Sequence, residues 1–156
     1  MTLKLRAERK DGALPRLFLS GSIDEHSPIE EVLGSIRVDA VLDLSLIERI
    51  NSMGLMIWLK WIGILTANHR ISIEIISYPL AIYAAQLVDL FGSAKARSCL
   101  APYYCPSCKT NRELPVSAEE VRLTKGEPPP KKCPQCGTAM DFDELDQYFS
   151  FLNEPA

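Results

Sequence analysis

The chain has 156 residues, 47% of them hydrophobic and 24% charged, and a formal net charge of −3. That length and composition fit one ordinary domain, or a domain of about 100 residues with a small appendage, and exclude a disordered tail. The slight acidity argues against a protein that coats nucleic acid along its whole surface.

Met1 to Lys10 alternates apolar with charged residues, so the chain does not open as an export signal and a cytoplasmic protein is expected. Leu3, Leu5 and Ala7 predict a half-buried strand. Asp11-Gly12 marks a turn, and Leu14 to Leu19 predicts a second strand antiparallel to the first. Ser27-Pro28-Ile29-Glu30 reads as a helix start, with Ser27 as cap, Pro28 in the first turn and Glu30 completing a capping box. Ile29, Val32, Leu33 and Ile36 supply the apolar face of that helix.

Val38 to Leu44 is a short apolar run of the buried-strand kind. A helix is expected from Ser52 to Asn68, a core strand from Ile71 to Ile76, and a helix from Pro79 to Leu90 closed by Gly92. A last strand runs from Arg97 to Tyr103. The Ser52–Ala67 run carries Lys60 as its one charge. It is shorter than the ~20 residues a membrane span needs, and Lys60 would sit at mid-membrane, so a buried helix is expected instead. Leu55, Leu59, Ile62 and Thr66 share the face expected on the sheet. Met53, Ile57, Trp58, Trp61, Ile64 and Leu65 lie on the other side, where a surface helix normally turns polar residues to water. That side is expected to be covered by the C-terminal segment, by a protein partner, or by a second copy of the chain in a homodimer.

From Pro102 onward proline and cysteine dominate. A boundary near residue 101 divides the chain into 1–101, a ribbon over 102–140, and a C-terminal helix and tail over 141–156. Cys105-Pro-Ser-Cys108 and Cys133-Pro-Gln-Cys136-Gly137 are two C-x-x-C knuckles, whose doubled spacing suits one tetrahedral four-thiolate zinc site, iron being the alternative metal. Four thiolates leave no open position for water, so the ion is expected to be structural. Gly137 permits a tight turn after the last ligand. Glu113 to Val116 and Glu119 to Leu123 are read as hairpin strands between the knuckles. Lys125 to Lys132 is an extended loop. Asp141 to Asn153 is a closing helix, with Phe142, Leu145, Tyr148, Phe149 and Leu152 at helical spacing. Cys99 is left over, and its apolar setting suggests a buried thiol.

Between the outer cysteines six basic residues oppose four acidic ones, which is a weak footprint for nucleic acid. His26 and His69 are the two histidines and belong to the surface. No glycine-rich phosphate loop and no nucleophile–base pair stands out, so an enzyme is not expected.

Val41-Leu42-Asp43-Leu44-Ser45 leads to Ile50-Asn51-Ser52-Met53-Gly54-Leu55, a strand that delivers a polar turn to the start of an apolar helix. Ser52 is placed there either as an N-cap or as an exposed hydroxyl where the helix dipole accepts an anion. Together with Leu19-Ser20-Gly21-Ser22-Ile23-Asp24 and Val88-Asp89-Leu90-Phe91-Gly92, this order resembles the STAS domains of bacterial anti-sigma factor antagonists over roughly residues 3 to 100. The resemblance implies an α/β fold with a mixed sheet. It also implies a signalling adaptor that docks a partner, an anti-sigma factor that is also a serine kinase, with Ser52 at the phosphorylated position. Asn51 and Met53 stand where that family's pattern has an aspartate and a small polar residue. Asn51, Met53, Gly54, Ile57, Trp58 and Trp61 are the candidate partner-binding residues. A nucleic-acid-associated ribbon protein and a self-associating scaffold without phosphorylation are the alternative readings.

Overall fold

The computed structural model describes residues 2–152. β1 (Lys4–Glu8) and β2 (Arg16–Ile23) form an antiparallel pair joined through the Asp11-Gly12 turn. α1 (Ile29–Gly34) leads to β3 (Ala40–Ile50), α2 (Ser52–Asn68) to β4 (Ile71–Ile76), and α3 (Tyr78–Ala84) to β5 (Ser98–Cys105). β6 (Thr110–Ser117), α4 (Ala118–Leu123), β7 (Asp141–Phe142) and a 3-10 helix (Asp146–Leu152) complete the chain. One seven-stranded mixed sheet runs in the order β1-β2-β3-β4-β5-β6, with β7 paired to β5. The steps β2-β3, β3-β4 and β4-β5 are parallel, and β5-β6 is antiparallel.

Three parallel steps in one direction, each crossed right-handedly, set α1, α2 and α3 on the same face of the sheet. Leu17, Leu19, Leu42, Leu44, Ile73 and Ala101 are buried on that face. The pleat turns Phe18, Ser20, Glu74 and Leu100 to the opposite, helix-free side. There Arg6 lies over the Phe18 ring at 4.3 Å and Arg16 pairs with Glu74 at 2.5 Å.

Several expectations change. Ser27 does not cap α1. Its hydroxyl donates to the Ser22 carbonyl at 2.5 Å, Pro28 occupies the cap position, and no side-chain cap bond forms. The helix begun at Tyr78 stops at Ala84 rather than Leu90, because the chain turns inward to bury Leu90 and Phe91. The Leu90 carbonyl then accepts the Trp58 indole N–H at 2.8 Å. Residues 119–123, read as a strand, lie in α4. Ser117 accepts from the Glu120 amide and the Glu120 carboxylate returns to the Ser117 amide, a reciprocal cap that starts a helix. The closing helix is instead β7 followed by the 3-10 helix. Asn153, its expected end, lies with 154–156 outside the described residues.

β5 runs from Ser98 to Cys105, through the position where the sequence divides, and pairs along its whole length with β6. The 3-10 helix packs against both α3 and α4. Tyr148 stacks with Tyr78, Phe142 and Phe149, while Phe142 meets Tyr103 at 5.5 Å. This aromatic joint and the continuous strand put residues from both sides of 101 into one core.

Candidate metal centre

The β5–β6 turn begins at Cys105, where that strand pairs with Thr110. A second small hairpin, closed by the Lys132–Ala139 bridge and the Met140 N–H to Lys131 carbonyl bond, carries Cys133 and Cys136. The two tips share one geometry. Lys109 N–H donates to the Cys105 carbonyl and Gly137 N–H to the Cys133 carbonyl, both at 2.8 Å. Lys109 has φ +57° and Gly137 φ +76°, so each knuckle ends on a left-handed residue directly after its second cysteine. The sequence reading found the glycine and missed the lysine, which pays the steric cost of that conformation.

The turns face each other. Cys105 Sγ lies 3.5 Å from Cys136 Sγ, and Cys108 Sγ 3.9 Å from Cys133 Sγ. All four sulfurs fall within 4.8 Å of one another. Tetrahedral ligation at about 2.3 Å per bond sets sulfurs about 3.8 Å apart, so the four thiols fit a single ion. Cys105 and Cys133 are buried, Cys108 half-buried and Cys136 exposed, so the centre sits at the surface end of the hairpins. The Thr138 hydroxyl and amide pull Cys136 down to about 6. The amides of Cys136 and Gln135 also lower Cys133. Cys108 is pushed up to about 12, first by its contact with Cys136. Cys99 stands apart in the core, where burial pushes its thiol up to about 12.

The Ser52 turn lies in the other half of the chain. Asn51, not Ser52, caps α2, with Oδ1 accepting from the Gly54 amide at 2.8 Å. Its side-chain amide donates to Glu25 Oε2 at 2.7 Å, and that bond is the first cause holding Glu25 below the ordinary carboxylate range. The Asn51 backbone amide reaches the Ile23 carbonyl at 3.1 Å. Gly54 is buried, and a Cβ there would lie 2.3 Å from that same carbonyl, so this position has no room for a side chain. Ser52 is exposed in the first turn, with Met53 58% and Met56 69% exposed beside it.

The structure separates the other residues of the candidate docking face. Trp58 is 0% exposed and belongs to the core with Ile62 and Leu65, so α2 is rotated from the expected facing and Trp58 presents nothing to a partner or a second copy. Ile57 and Trp61 are half-buried along a groove beside α1, and Lys60 lies 5.5 Å from the Trp61 ring. The 3-10 helix packs on α3 and α4, away from the place expected of it over α2. Among the described residues no helix is long and apolar enough to cross a membrane. The chain matches no known protein-family profile and no curated protein.

Proposed function

We propose that the chain is a non-catalytic signalling adaptor, STAS-like through its first hundred residues, that docks a regulatory protein with the N-terminal end of α2. The observation that carries this reading is the exposed triad of Ser52, Met53 and Met56 on a helix start fixed by Asn51. Exposed methionines on a rigid element adapt to a partner's apolar surface at little cost. Gly54, Ile57 and Trp61 back this surface, and Trp58 supports it only from beneath. A phosphate on Ser52 adds nearly two negative charges next to that apolar pair and directly after Asn51, the residue that holds Glu25, and this charge would expel an apolar partner. The four thiolates hold one structural zinc ion that fixes the two hairpin tips and contributes no chemistry to a substrate.

Affinity capture with the full chain from its native cells tests the docking reading. The wild type, Ser52→Asp and the Met53→Glu/Met56→Glu pair are compared. A partner lost with both variants and kept by a Leu145→Glu control supports the site. An unchanged set of partners across all four sinks it. Metal content tests the second part, with one zinc per chain expected and iron as the result that overturns it.

A further inference from the structure

The four thiols that fit one ion are not equally protected. Cys105 is 0% and Cys133 3% exposed, Cys108 is half-buried, and Cys136 lies on the surface. The difference follows from what each hairpin rests on. Cys105 ends β5, a strand that Cys99 and Tyr103 anchor in the core and that β6 and β7 flank on its two sides. Cys136 sits at the tip of the small Lys132–Ala139 hairpin, and Gly137 turns the chain back directly after it. Its sulfur meets the Thr138 hydroxyl at 3.2 Å in an exposed contact.

The exposed sulfur has a buried neighbour in the other hairpin. Cys136 Sγ lies 3.5 Å from Cys105 Sγ, closer than Cys108 Sγ lies to Cys133 Sγ at 3.9 Å. A disulfide bond is about 2.05 Å long, so closing the Cys105–Cys136 pair asks for a movement of about 1.5 Å. An accessible thiolate beside a second thiolate is the arrangement that redox-responsive cysteines share. Ligation to a cation keeps the four sulfurs deprotonated, which is their nucleophilic form.

We propose that the centre is a peroxide-sensitive switch, with Cys136 as the reacting thiolate and Cys105 as the resolving one. The switch rests on the four-thiolate zinc reading. The Cys136 thiolate attacks one oxygen of hydrogen peroxide, the O–O bond breaks, and hydroxide leaves a sulfenic acid on the sulfur. The Cys105 thiolate then attacks that sulfur, the S–O bond breaks, and a second hydroxide leaves as the disulfide forms. The two sulfurs give up two electrons in all, and the peroxide takes both. Cys108 and Cys133 then remain, half the ligands a structural zinc site uses, so the ion is released. The new bond joins the end of β5 to the second hairpin and keeps the two tips together after the ion has gone. A bond within either knuckle would leave the hairpins unlinked.

The test treats the full zinc-loaded chain with hydrogen peroxide in about tenfold excess. Zinc release is followed with a chromogenic chelator, and the products are alkylated and mapped by mass spectrometry. One zinc is expected to leave for each Cys105–Cys136 disulfide formed, with Cys108 and Cys133 alkylated and the buried Cys99 untouched. Dimedone present early in the reaction should label Cys136 several-fold more than Cys105, Cys108 or Cys133. Cys108→Ser should still form the Cys105–Cys136 bond, a readout that does not require the variant to hold zinc. Hydrogen exchange should keep Thr110–Arg112 protected in the oxidised chain and expose it in the reduced, chelated one. Dithiothreitol with added zinc should restore the starting state. A chain isolated without zinc overturns the metal reading and the switch with it. With zinc bound, the switch alone is overturned by a disulfide within either knuckle, by equal dimedone labelling of the four cysteines, or by zinc that stays in place under peroxide.

Discussion

The side-chain amide of Asn51 donates to Glu25 at 2.7 Å while its carbonyl oxygen accepts from Gly54 at 2.8 Å. One side chain caps α2 and ties it to the loop after β2, using both ends of a group that an aspartate matches at one end only. Asn51→Asp keeps the cap acceptor, loses the donor and sets two carboxylates in contact. The expected result is a melting temperature lower by about 2 °C at pH 7. The sign with pH follows from Glu25, which Asn51 holds below its ordinary value. The wild-type advantage is present at neutral pH and is lost as pH falls through Glu25's lowered range. The aspartate variant meanwhile gains as its carboxylates protonate, so the two proteins converge in acid. Calorimetry at pH 7 and pH 4 checks this, and adding Glu25→Gln should restore the variant at neutral pH. A deficit independent of pH would assign the loss to some other contact.

Gly54 and Gly63 both lie inside α2 and are expected to respond in opposite ways to alanine. At Gly54 a Cβ meets the Ile23 carbonyl at 2.3 Å and the Asp24 Cα at 2.5 Å, and these neighbours are backbone atoms that cannot swing aside. Gly54→Ala should therefore cost about 2 kcal/mol or more, despite the better helix propensity of alanine. Nothing lies within 4 Å of a Cβ at Gly63, so Gly63→Ala should stabilise by about 0.5–1 kcal/mol. Urea unfolding of the two variants decides the matter. Equal effects would mean that the close approach of α2 to β2 does not constrain the helix.

The contrast between these glycines shows what a sequence carries and what it withholds. The span of α2 was legible from Ser52 to Asn68 because a polar turn meets a long apolar run, and the four cysteines were legible from their doubled spacing. The facing of α2 was not. An almost wholly apolar helix has no polar stripe to orient it, so nothing local marks Trp58 as inside and Met56 as outside. α4 was missed although its signal is local, since Ser117 and Glu120 stand at capping-box spacing.

Trp58 and Trp61 should report this facing by fluorescence. Trp58 is sealed in the core with its indole N–H on Leu90, whereas Trp61 is half-buried beside Lys60. Trp61→Phe leaves a protein whose emission is blue-shifted and resists acrylamide. Trp58→Phe leaves the quenchable tryptophan and also strips the Leu90 carbonyl of its donor, which should cost about 1–3 kcal/mol. Similar quenching in the two variants would contradict the observed rotation of α2.

Removal of the metal should be felt well beyond the four cysteines, because β5 carries the effect inward. Cys105 ends the strand that pairs with β4 at Cys99, and β6 pairs with β5 from Thr110 back to Ser117. Without an ion, four thiols sharing one small volume repel or exchange protons, and the two hairpin tips lose their common anchor. Fraying then starts at Cys105–Thr110 and at the Lys132–Ala139 hairpin. It is resisted further in by the aromatic joint of Tyr103, Phe142, Tyr148 and Phe149, which belongs to the same core as Leu42 and Ile73. Hydrogen exchange with and without a chelator is therefore expected to show a gradient. Protection should vanish at Thr110–Arg112, fall several-fold at Ala101–Tyr103, and hold in β1, β2 and β3. Cys99 serves as an internal control, since a thiol raised to about 12 by burial stays unreactive toward iodoacetamide at pH 8 while the released cluster is alkylated. A sharp step in exchange at residue 101 would instead support two independent modules divided there. Alkylation of Cys99 along with the cluster would show that the aromatic joint fails as soon as the ion leaves.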